Sequence, residues 1–297
     1  MMAGDHVETR TLVSRAQLAS GRGRVLYWVV LVTVILVFTA VFIGPLYWMV
    51  TGALKSGQEI AQAPPTLFPR DPRPRNYSDA WERLNLAKLL FNTFYYAIGA
   101  VLFQLVLDTA AAYALSKLRP ALGNVILGLM LSTLMIPAMV LIIPQYVTVI
   151  DLPIVHVSLL DSPFAIWLPT VANAFNIFLL KRFFDSIPED LLAAAIVDGA
   201  SPLRTLWSII LPISRPILGV VSIFAVTAVW KDFLWPKLVM PSPETRTVSV
   251  GIYAFSGGTP MNVVVAAAVI AAIPTIVVFL VFQRNIMSGL TTGSLKG

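Results

Sequence analysis

The residues able to do acid–base or metal chemistry are few and scattered in this chain of 297 residues. Its two histidines, His6 and His156, lie far apart, so a histidine-based metal centre is not expected. Cysteine is absent, which excludes disulfides and thiolate metal sites. One acid, Asp108, lies inside a long apolar run, where it is either functional or a structural hydrogen-bond partner for a neighbouring helix. The structural interpretation is favoured, because no second acid in such a run could complete a proton relay.

Motifs for hydrolysis and nucleotide binding are absent from the sequence. It contains no Gly-x-x-x-x-Gly-Lys-Ser/Thr phosphate loop, and the Gly-Arg-Gly-Arg segment at 21–24 is too short for a dinucleotide fingerprint. It also lacks the His-Glu-x-x-His and Gly-x-Ser-x-Gly patterns of metalloproteases and serine hydrolases. We therefore expect a chain that is not an enzyme and binds no cofactor itself.

The composition is that of a membrane protein. Apolar residues make up 57% of the chain and charged residues only 12%, about half the charged share of a soluble domain. About twenty consecutive apolar residues cross a bilayer as a helix. Six such runs predict an all-α membrane protein with six transmembrane helices, at residues 25–50, 88–115, 123–146, 162–184, 213–235 and 262–283. The first run is longer than the apolar core of a signal peptide, so we expect it to be an uncleaved span.

The distribution of charged residues predicts the orientation of these spans in the membrane. The net charge of +6 is interpreted as basic residues beside membrane spans, not as a nucleic-acid site. Four arginines precede the first span, which favours a cytoplasmic N-terminus; six spans then place the C-terminus on the same side. Four other arginines, in the proline-rich outer segment 51–87, act against this orientation.

The third predicted span contains Pro137 and Pro144. Proline removes a backbone donor and kinks a helix. The kink either makes this span a flexible lining of a pathway or is an ordinary bend within the bundle, and the sequence leaves both open.

The inner loop between spans four and five, residues 185–212, is predicted to form two short helices. Ser186 and Glu189 have the spacing of a capping box, which starts a helix. Gly199 can adopt the left-handed conformation that ends one. Ser201 followed by Pro202 is typical of the start of the next helix.

Small and apolar side chains dominate the first of these helices, although it lies outside the membrane. They are Leu191, Leu192, the three alanines at 193–195, Ile196 and Val197. A short apolar helix of this kind fits a groove on a partner protein. Alternatively, it packs against its own bundle or lies in the membrane interface.

This loop resembles the signature loop of binding-protein-dependent ABC importer permeases. The family pattern is Glu-Ala-Ala, three residues, Gly, nine residues, Ile, one residue and Leu-Pro. The matching residues are Ala194, Ala195, Gly199, Ile209, Leu211 and Pro212, with Asp198 before the glycine as is common in the sugar branch. Ala193 stands where the family has its glutamate, and Glu189 and Asp190, one turn earlier, need not replace it.

Further segments extend the resemblance across most of the chain. They are residues 111–115, 135–137, 143–144 and 178–180, and the Trp230–Trp235 segment, in which Lys231 replaces the usual asparagine. The C-terminal residues 289–297 resemble the end of the maltose-type second permease. The chain is thus identified as resembling the carbohydrate branch of the family.

The resemblance implies a type I ABC importer permease, for a sugar or oligosaccharide, in the bacterial cytoplasmic (inner) membrane. Residues 1–24 and 284–297 would be cytoplasmic tails, and 25–297 the permease domain. The implied partners are a second, different permease, two ATPase subunits that hold ATP and Mg²⁺, an extracytoplasmic solute-binding protein and the lipid bilayer. The implied contacts with the ATPase are Leu191, Ala194, Ala195, Ile196, Asp198, Gly199, Ile209, Leu211 and Pro212 in the loop, and Gly293 and Lys296 in the tail.

Because Ala193 cannot form the family's ion pair, docking is expected to depend more on apolar fit, from Leu191, Ala194, Ala195 and Ile196. Candidate residues for the solute pathway are Asn92, Asn173, Asn176, Trp230 and Asp232, although asparagine and tryptophan also serve in helix packing and in aromatic belts. Two alternatives remain at this point: a stand-alone secondary carrier, and an ABC permease for a non-sugar solute.

Overall fold

The structure is a computed structural model that describes residues 21–292. Every regular element in this range is helical, which confirms the predicted all-α class. In chain order the helices are α1 (Gly21–Ala53), α2 (Gly57–Ile60), α3 (Arg75–Arg83), α4 (Leu86–Tyr113), α5 (Gly123–Thr133), α6 (Ala138–Ile150), α7 (Phe164–Thr170), α8 (Ala174–Asp185), α9 (Glu189–Val197), α10 (Pro202–Thr205), α11 (Leu211–Ile213), α12 (Arg215–Lys231), α13 (Leu234–Val239), α14 (Val248–Ser256) and α15 (Met261–Thr292). Two π-helical turns, Ala114–Leu118 and Leu206–Ile210, extend α4 and join α10 to α11.

Three helices in this range are long and apolar enough to cross a membrane without a break. They are span 1 (Gly21–Ala53), span 2 (Leu86–Leu118) and span 6 (Met261–Gln283). Three more spans result if each pair of helices that meets at a bend counts as one. They are span 3 (α5 and α6), span 4 (α7 and α8) and span 5 (Pro202–Ile213 and α12), with bends of 101°, 51° and 83°. By length and composition, the six predicted spans are therefore present.

Span 3 is broken more sharply than a proline kink would require. Its two helices, α5 and α6, are separated by residues 134–137, and Pro137 immediately precedes α6. A proline disfavours helical geometry in the residue before it, which explains why α5 ends upstream. Pro144 is accommodated inside α6.

Span 2 is the central helix of the bundle. It packs against spans 4 and 5, while span 5 also packs against span 6. The contact between spans 2 and 4 is close because Gly99 has no side chain: a Cβ atom there would lie 2.2 Å from the ring of Trp167. The indole of Trp167 also donates a hydrogen bond to the carbonyl of Tyr96 at 3.0 Å.

Span 1 lies along span 6 and at the edge of the bundle. None of the residues in its apolar window is buried. Its large apolar side chains, such as Phe42 at 69% exposure, are therefore available to lipid or to another subunit.

The bundle has two ends that differ in sequence and structure. We call the end that carries the loop 185–212 the signature end, and the end that carries residues 54–85 and 232–260 the far end. Asn76 organises the first far-end segment: its amide donates to the carbonyls of Ala53 and Lys55 at 2.8 and 2.9 Å and its oxygen accepts from Asn262 at 2.9 Å. The proline-rich segment is thus ordered although it is mostly irregular.

Candidate functional site

The helix α9, here called the loop helix, is the first of two helices in the signature loop, and it begins later than the sequence predicts. It starts at Glu189, directly after Pro188. The predicted capping role of Ser186 is wrong: this serine ends the preceding helix α8, and its hydroxyl donates to the carbonyl of Phe183 at 2.7 Å. The cause is Pro188, because the residue before a proline is pushed out of helical geometry.

Gly199 ends the loop helix in the way its sequence position predicts. Its φ is +72°, in the left-handed region. The amides of Gly199 and Ala200 donate to the carbonyls of Ile196 and Ala195 at 3.0 and 2.9 Å. These paired bonds form a Schellman motif, which satisfies the last carbonyls of the helix.

The second helix of the loop starts as predicted and then turns towards the membrane. The Ser201 side chain accepts a hydrogen bond from the Arg204 amide at 3.3 Å, and Pro202 is the first helical residue. After the π-helical turn and α11, the chain bends by 83° into α12. Within this stretch Ile209 and Leu211 are half-buried and Pro212 is exposed, so the first two help to hold the helix to the bundle.

The loop helix exposes most of its apolar surface. Ile196 is 71% exposed, Val197 87% and Leu191 44%, and Ala194 is exposed as well. Ala195 is only 5% exposed, so it packs against the bundle and does not lie on the outer surface. The predicted docking set therefore divides into an exposed group and one alanine that holds the helix in place. Asp198 and Gly199, which follow the helix, are exposed.

Polar contacts with the end of span 2 fix the position of the loop helix. Arg119, which follows span 2, forms an ion pair with Glu189 at the start of the helix. The ammonium group of Lys117 donates to the carbonyl of Ile187 at 3.0 Å. Glu189 is therefore paired within its own chain, with a side chain that is still exposed.

Two exposed side chains beside the loop helix were missed by the sequence analysis. Leu203 is 68% exposed and Trp207 66% exposed, both on the second helix of the loop. With the exposed residues of the loop helix, they bring the large exposed apolar side chains of this loop to five. We call this set, Leu191, Ile196, Val197, Leu203 and Trp207, the docking surface. The signal was present in the sequence, because a leucine and a tryptophan four residues apart lie on one face of a helix.

Most of the predicted pathway residues are bound inside the bundle. Asn92 is 7% exposed and donates to the carbonyls of Glu244 and Arg246 at 2.8 and 3.0 Å. Trp230, also 7% exposed, donates to the carbonyl of Ala271 at 3.1 Å.

The remaining three candidates differ in exposure. Asp232 is half-buried and accepts from the amide of Trp235 at 3.4 Å. Asn176 is buried and Asn173 is exposed, at the break in span 4. Asn173 thus has the most accessible side chain of the set. The two predicted contacts in the C-terminal tail, Gly293 and Lys296, lie outside the described residues.

The fold and the loop define a class: a multi-pass helical membrane protein with an apolar helix displayed at one end. A family model described as "Binding-protein-dependent transport system inner membrane component" matches residues 104–291. The chain belongs to this family: it is a permease subunit of an ABC importer, a membrane component and not an enzyme.

Individual relatives cover most of the chain. It is 32% identical over 257 residues to the sulfoquinovosyl glycerol transport permease SmoH of Agrobacterium fabrum, with 85% of this chain and 88% of SmoH covered. It is 32% identical to the sn-glycerol-3-phosphate transport permease UgpE of Rhizobium meliloti (84% and 91% covered), and 30% identical to the melibiose/raffinose/stachyose import permease MelC of Bacillus subtilis (85% and 91% covered).

Solved structures share the fold. A chain from a bacterial ABC transporter for the acidic polysaccharide alginate superposes with a TM-score of 0.78 at 24% identity, covering 93% of this chain and 99% of that one. A second chain, from that type of transporter in complex with an alginate pentasaccharide-bound periplasmic protein, gives a TM-score of 0.65 at 17% identity, covering 89% and 94%.

Proposed function

We propose that this chain encloses one half of a transmembrane path, together with a second and different permease, and that two ATPase subunits drive it. The observation that carries the proposal is the docking surface, a set of exposed apolar side chains at the signature end, in a loop with signature spacing. Apolar area of this kind is stabilised when a partner covers it, at about 25 cal/mol per Å². The partner would be an ATPase subunit, which holds the ATP and Mg²⁺ that this chain has no motif to bind.

The signature end faces the cytoplasm in this proposal, and both termini lie on that side. Basic residues support this orientation, because they accumulate beside spans on the cytoplasmic face. At the signature end they include Lys117, Arg119, Lys181, Arg204 and Arg215. The membrane would then be the bacterial cytoplasmic membrane, with the C-terminal residues Gly293 and Lys296 close to the ATPase.

The far end would receive an extracytoplasmic solute-binding protein. The solute class is proposed from the relatives, whose names specify sulfoquinovosyl glycerol, sn-glycerol-3-phosphate, and melibiose, raffinose and stachyose. Small molecules rich in hydroxyl groups are common to all three. We therefore propose a sugar or oligosaccharide as the transported solute, and Asn173 as the residue of this chain best placed to meet it. Irregular backbone at membrane depth occurs where it lines a cavity or is covered by protein, which favours a path along the break in span 4.

Affinity purification of a tagged copy from gently solubilised native membranes tests this proposal. We expect an ATPase in about twofold excess over the tagged chain, one different permease, and a binding protein that can be screened against sugars. Recovery of the tagged chain alone, or only with copies of itself, would contradict the proposal and favour a stand-alone carrier. Recovery of the complex with a binding protein that holds no sugar would retain the importer and reject only the solute class.

A further inference from the structure

Asp108 occupies an unusual position in the middle of the bundle. It lies within span 2 and is 0% exposed. Its Oδ1 accepts a hydrogen bond from the backbone amide of Asn173 at 2.9 Å, while Oδ2 has no hydrogen-bond partner among the described residues. The sequence-based preference for a structural hydrogen bond to a neighbouring helix agrees with this contact. The contact is also made at the start of α8, where span 4 is broken.

The backbone amide of Asn173, which donates this hydrogen bond to Asp108, lies at the break in span 4. Helix α8 starts at Ala174, and the first amides of any helix lack partners within it. Within a bilayer such unpaired groups cost several kcal/mol each. The break in span 4 therefore requires acceptors from elsewhere in the protein.

Two side chains, those of Asn173 and Asp108, accept hydrogen bonds from backbone amides at the break, and a hydrogen bond between two further side chains joins the same helices. The Asn173 side chain caps α8 by accepting from the amide of Asn176 at 3.1 Å. In a capping box, the residue at the position of Asn176 would return a side-chain bond to the amide of the cap. Here the Asn176 side chain instead donates to Gln104 at 3.1 Å. Asp108 accepts the hydrogen bond from the backbone amide of the cap residue, Asn173. Span 2 thus completes the capping box of span 4, and we call Gln104, Asp108, Asn173 and Asn176 the polar clamp.

The other end of α8 is also held by span 2. The carboxylate of Asp185 accepts from the hydroxyl of Ser116 at 2.7 Å and pairs with Lys181 at 2.8 Å. Helix α8 has twelve residues, so its two attachments are separated by about 18 Å. The loop helix begins four residues after α8 ends.

We infer that Asp108 is a positioning residue that makes α8, the adjoining part of span 2 and the loop helix one rigid lever. The lever carries motion from the docking surface to the break in span 4, and residues 171–173 are where the span bends. Asp108 acts as a hydrogen-bond acceptor and not as a charge, because an ionised carboxylate with one unpaired oxygen would be costly at membrane depth. The inference rests on the proposed contact with the ATPase, and it holds for any transported solute.

Three variants in the complete importer, reconstituted in lipid nanodiscs, test this role. Asp108→Asn keeps an acceptor without a charge, and Asp108→Leu removes the acceptor. Thr109→Val is the matched control, since the Thr109 hydroxyl is buried without a partner among the described residues. The readouts are hydrogen exchange of the amides at 173–176, and the distance distribution between spin labels at Phe175→Cys and Asp190→Cys. The labels are specific within this chain because it contains no cysteine.

We expect Asp108→Leu to speed exchange at 173–176 by about tenfold or more and to broaden the label distances when Mg-ATP and vanadate are added. Asp108→Asn and Thr109→Val should stay within about twofold of the wild type, with narrow distances. Wild-type exchange in Asp108→Leu would overturn the inference. So would an Asp108→Asn variant that behaves like Asp108→Leu or fails to assemble, because the charge would then be required. If only Asp108→Leu fails to assemble, wild-type behaviour of Asp108→Asn supports the acceptor role.

Discussion

The two ends of the bundle use their side chains differently. At the far end, polar side chains are turned inward and tie loops to spans: Asn76 binds two backbone carbonyls, and Asp161 accepts from the amide and hydroxyl of Ser242 at 3.0 and 2.8 Å. At the signature end, the loop helix is held by an exposed ion pair, by the hydrogen bond from Lys117 to the carbonyl of Ile187 and by the buried Ala195, while the side chains of Ile196 and Val197 are exposed. The difference is the one expected if the proposed ATPase contact covers the loop helix, whereas hydrogen bonds within this chain order the far-end loops.

The largest effect is expected from a charge placed on the docking surface. Ile196→Asp should weaken association with the ATPase by about 3 kcal/mol or more, because it removes apolar burial and buries an unpaired carboxylate. Phe68→Asp is the matched control, since Phe68 at the far end has the same exposed fraction of 71%. Pull-down of the ATPase with each variant measures the effect, and equal recovery from both would remove the proposed asymmetry.

At the far end, the loss of a buried amide should affect stability and leave docking intact. Asn76→Ala breaks three hydrogen bonds and leaves the carbonyls of Ala53 and Lys55 without this donor. We expect a loss of about 2–3 kcal/mol, seen as a lower melting temperature of the purified importer. Ser78→Ala, on the exposed surface of α3, should be nearly neutral. A neutral Asn76→Ala would mean that the far end does not depend on its internal hydrogen bonds.

The turn after the loop helix should be sensitive to backbone conformation. Gly199→Val forces a β-branched residue into φ +72°, at a cost of about 1–2 kcal/mol. Gly199→Asn is the control, because asparagine tolerates this region. ATP-driven uptake should fall in the valine variant and remain in the asparagine variant. Intact uptake with valine would show that the turn does not position the docking surface.

The smallest effect should come from acid at the far end. Burial raises the pKa of the Asp161 carboxyl, but hydrogen bonds from Thr245 and Ser242 and the charge of Arg246 outweigh it and hold the pKa below the ordinary value of 3.8. The stabilisation is therefore fully present above 3.8 and is lost as the pH falls through the lower, folded-state value. Hydrogen exchange in the 240–247 segment should rise in that range, and Asp161→Asn should remove this pH dependence. Unchanged exchange in the wild type would show that the carboxylate does not hold this loop.

The sequence was sufficient to predict the elements that depend on local rules. Long apolar runs identified the spans, and Gly199, Ser201 and Pro202 identified the turn between the loop helices. The start of the loop helix was predicted wrongly, because the effect of Pro188 on its neighbour outweighed the capping pattern of Ser186. The role of an asparagine within a span was not predictable from sequence, because its side chain can either bind solute or pair with a backbone carbonyl. Asn92 does the latter.

The hydrogen-bond partner of Asp108 was also not predictable from the sequence. Its burial is implied by its place in an apolar run, but its partner comes from a break in span 4 that has no strong local signal. Such a contact depends on two helices being in register, which Gly99 and Trp167 establish through tertiary packing.

Site-specific photo-crosslinking tests the asymmetry between the two ends most directly. A crosslinking amino acid is placed at Val197, which is 87% exposed at the signature end, and separately at Phe68 at the far end. We predict that Val197 captures the ATPase subunit in intact membranes, while Phe68 does not. Capture of the ATPase from Phe68, or failure of Val197 to capture it in an assembled importer, would contradict the proposed role of the docking surface.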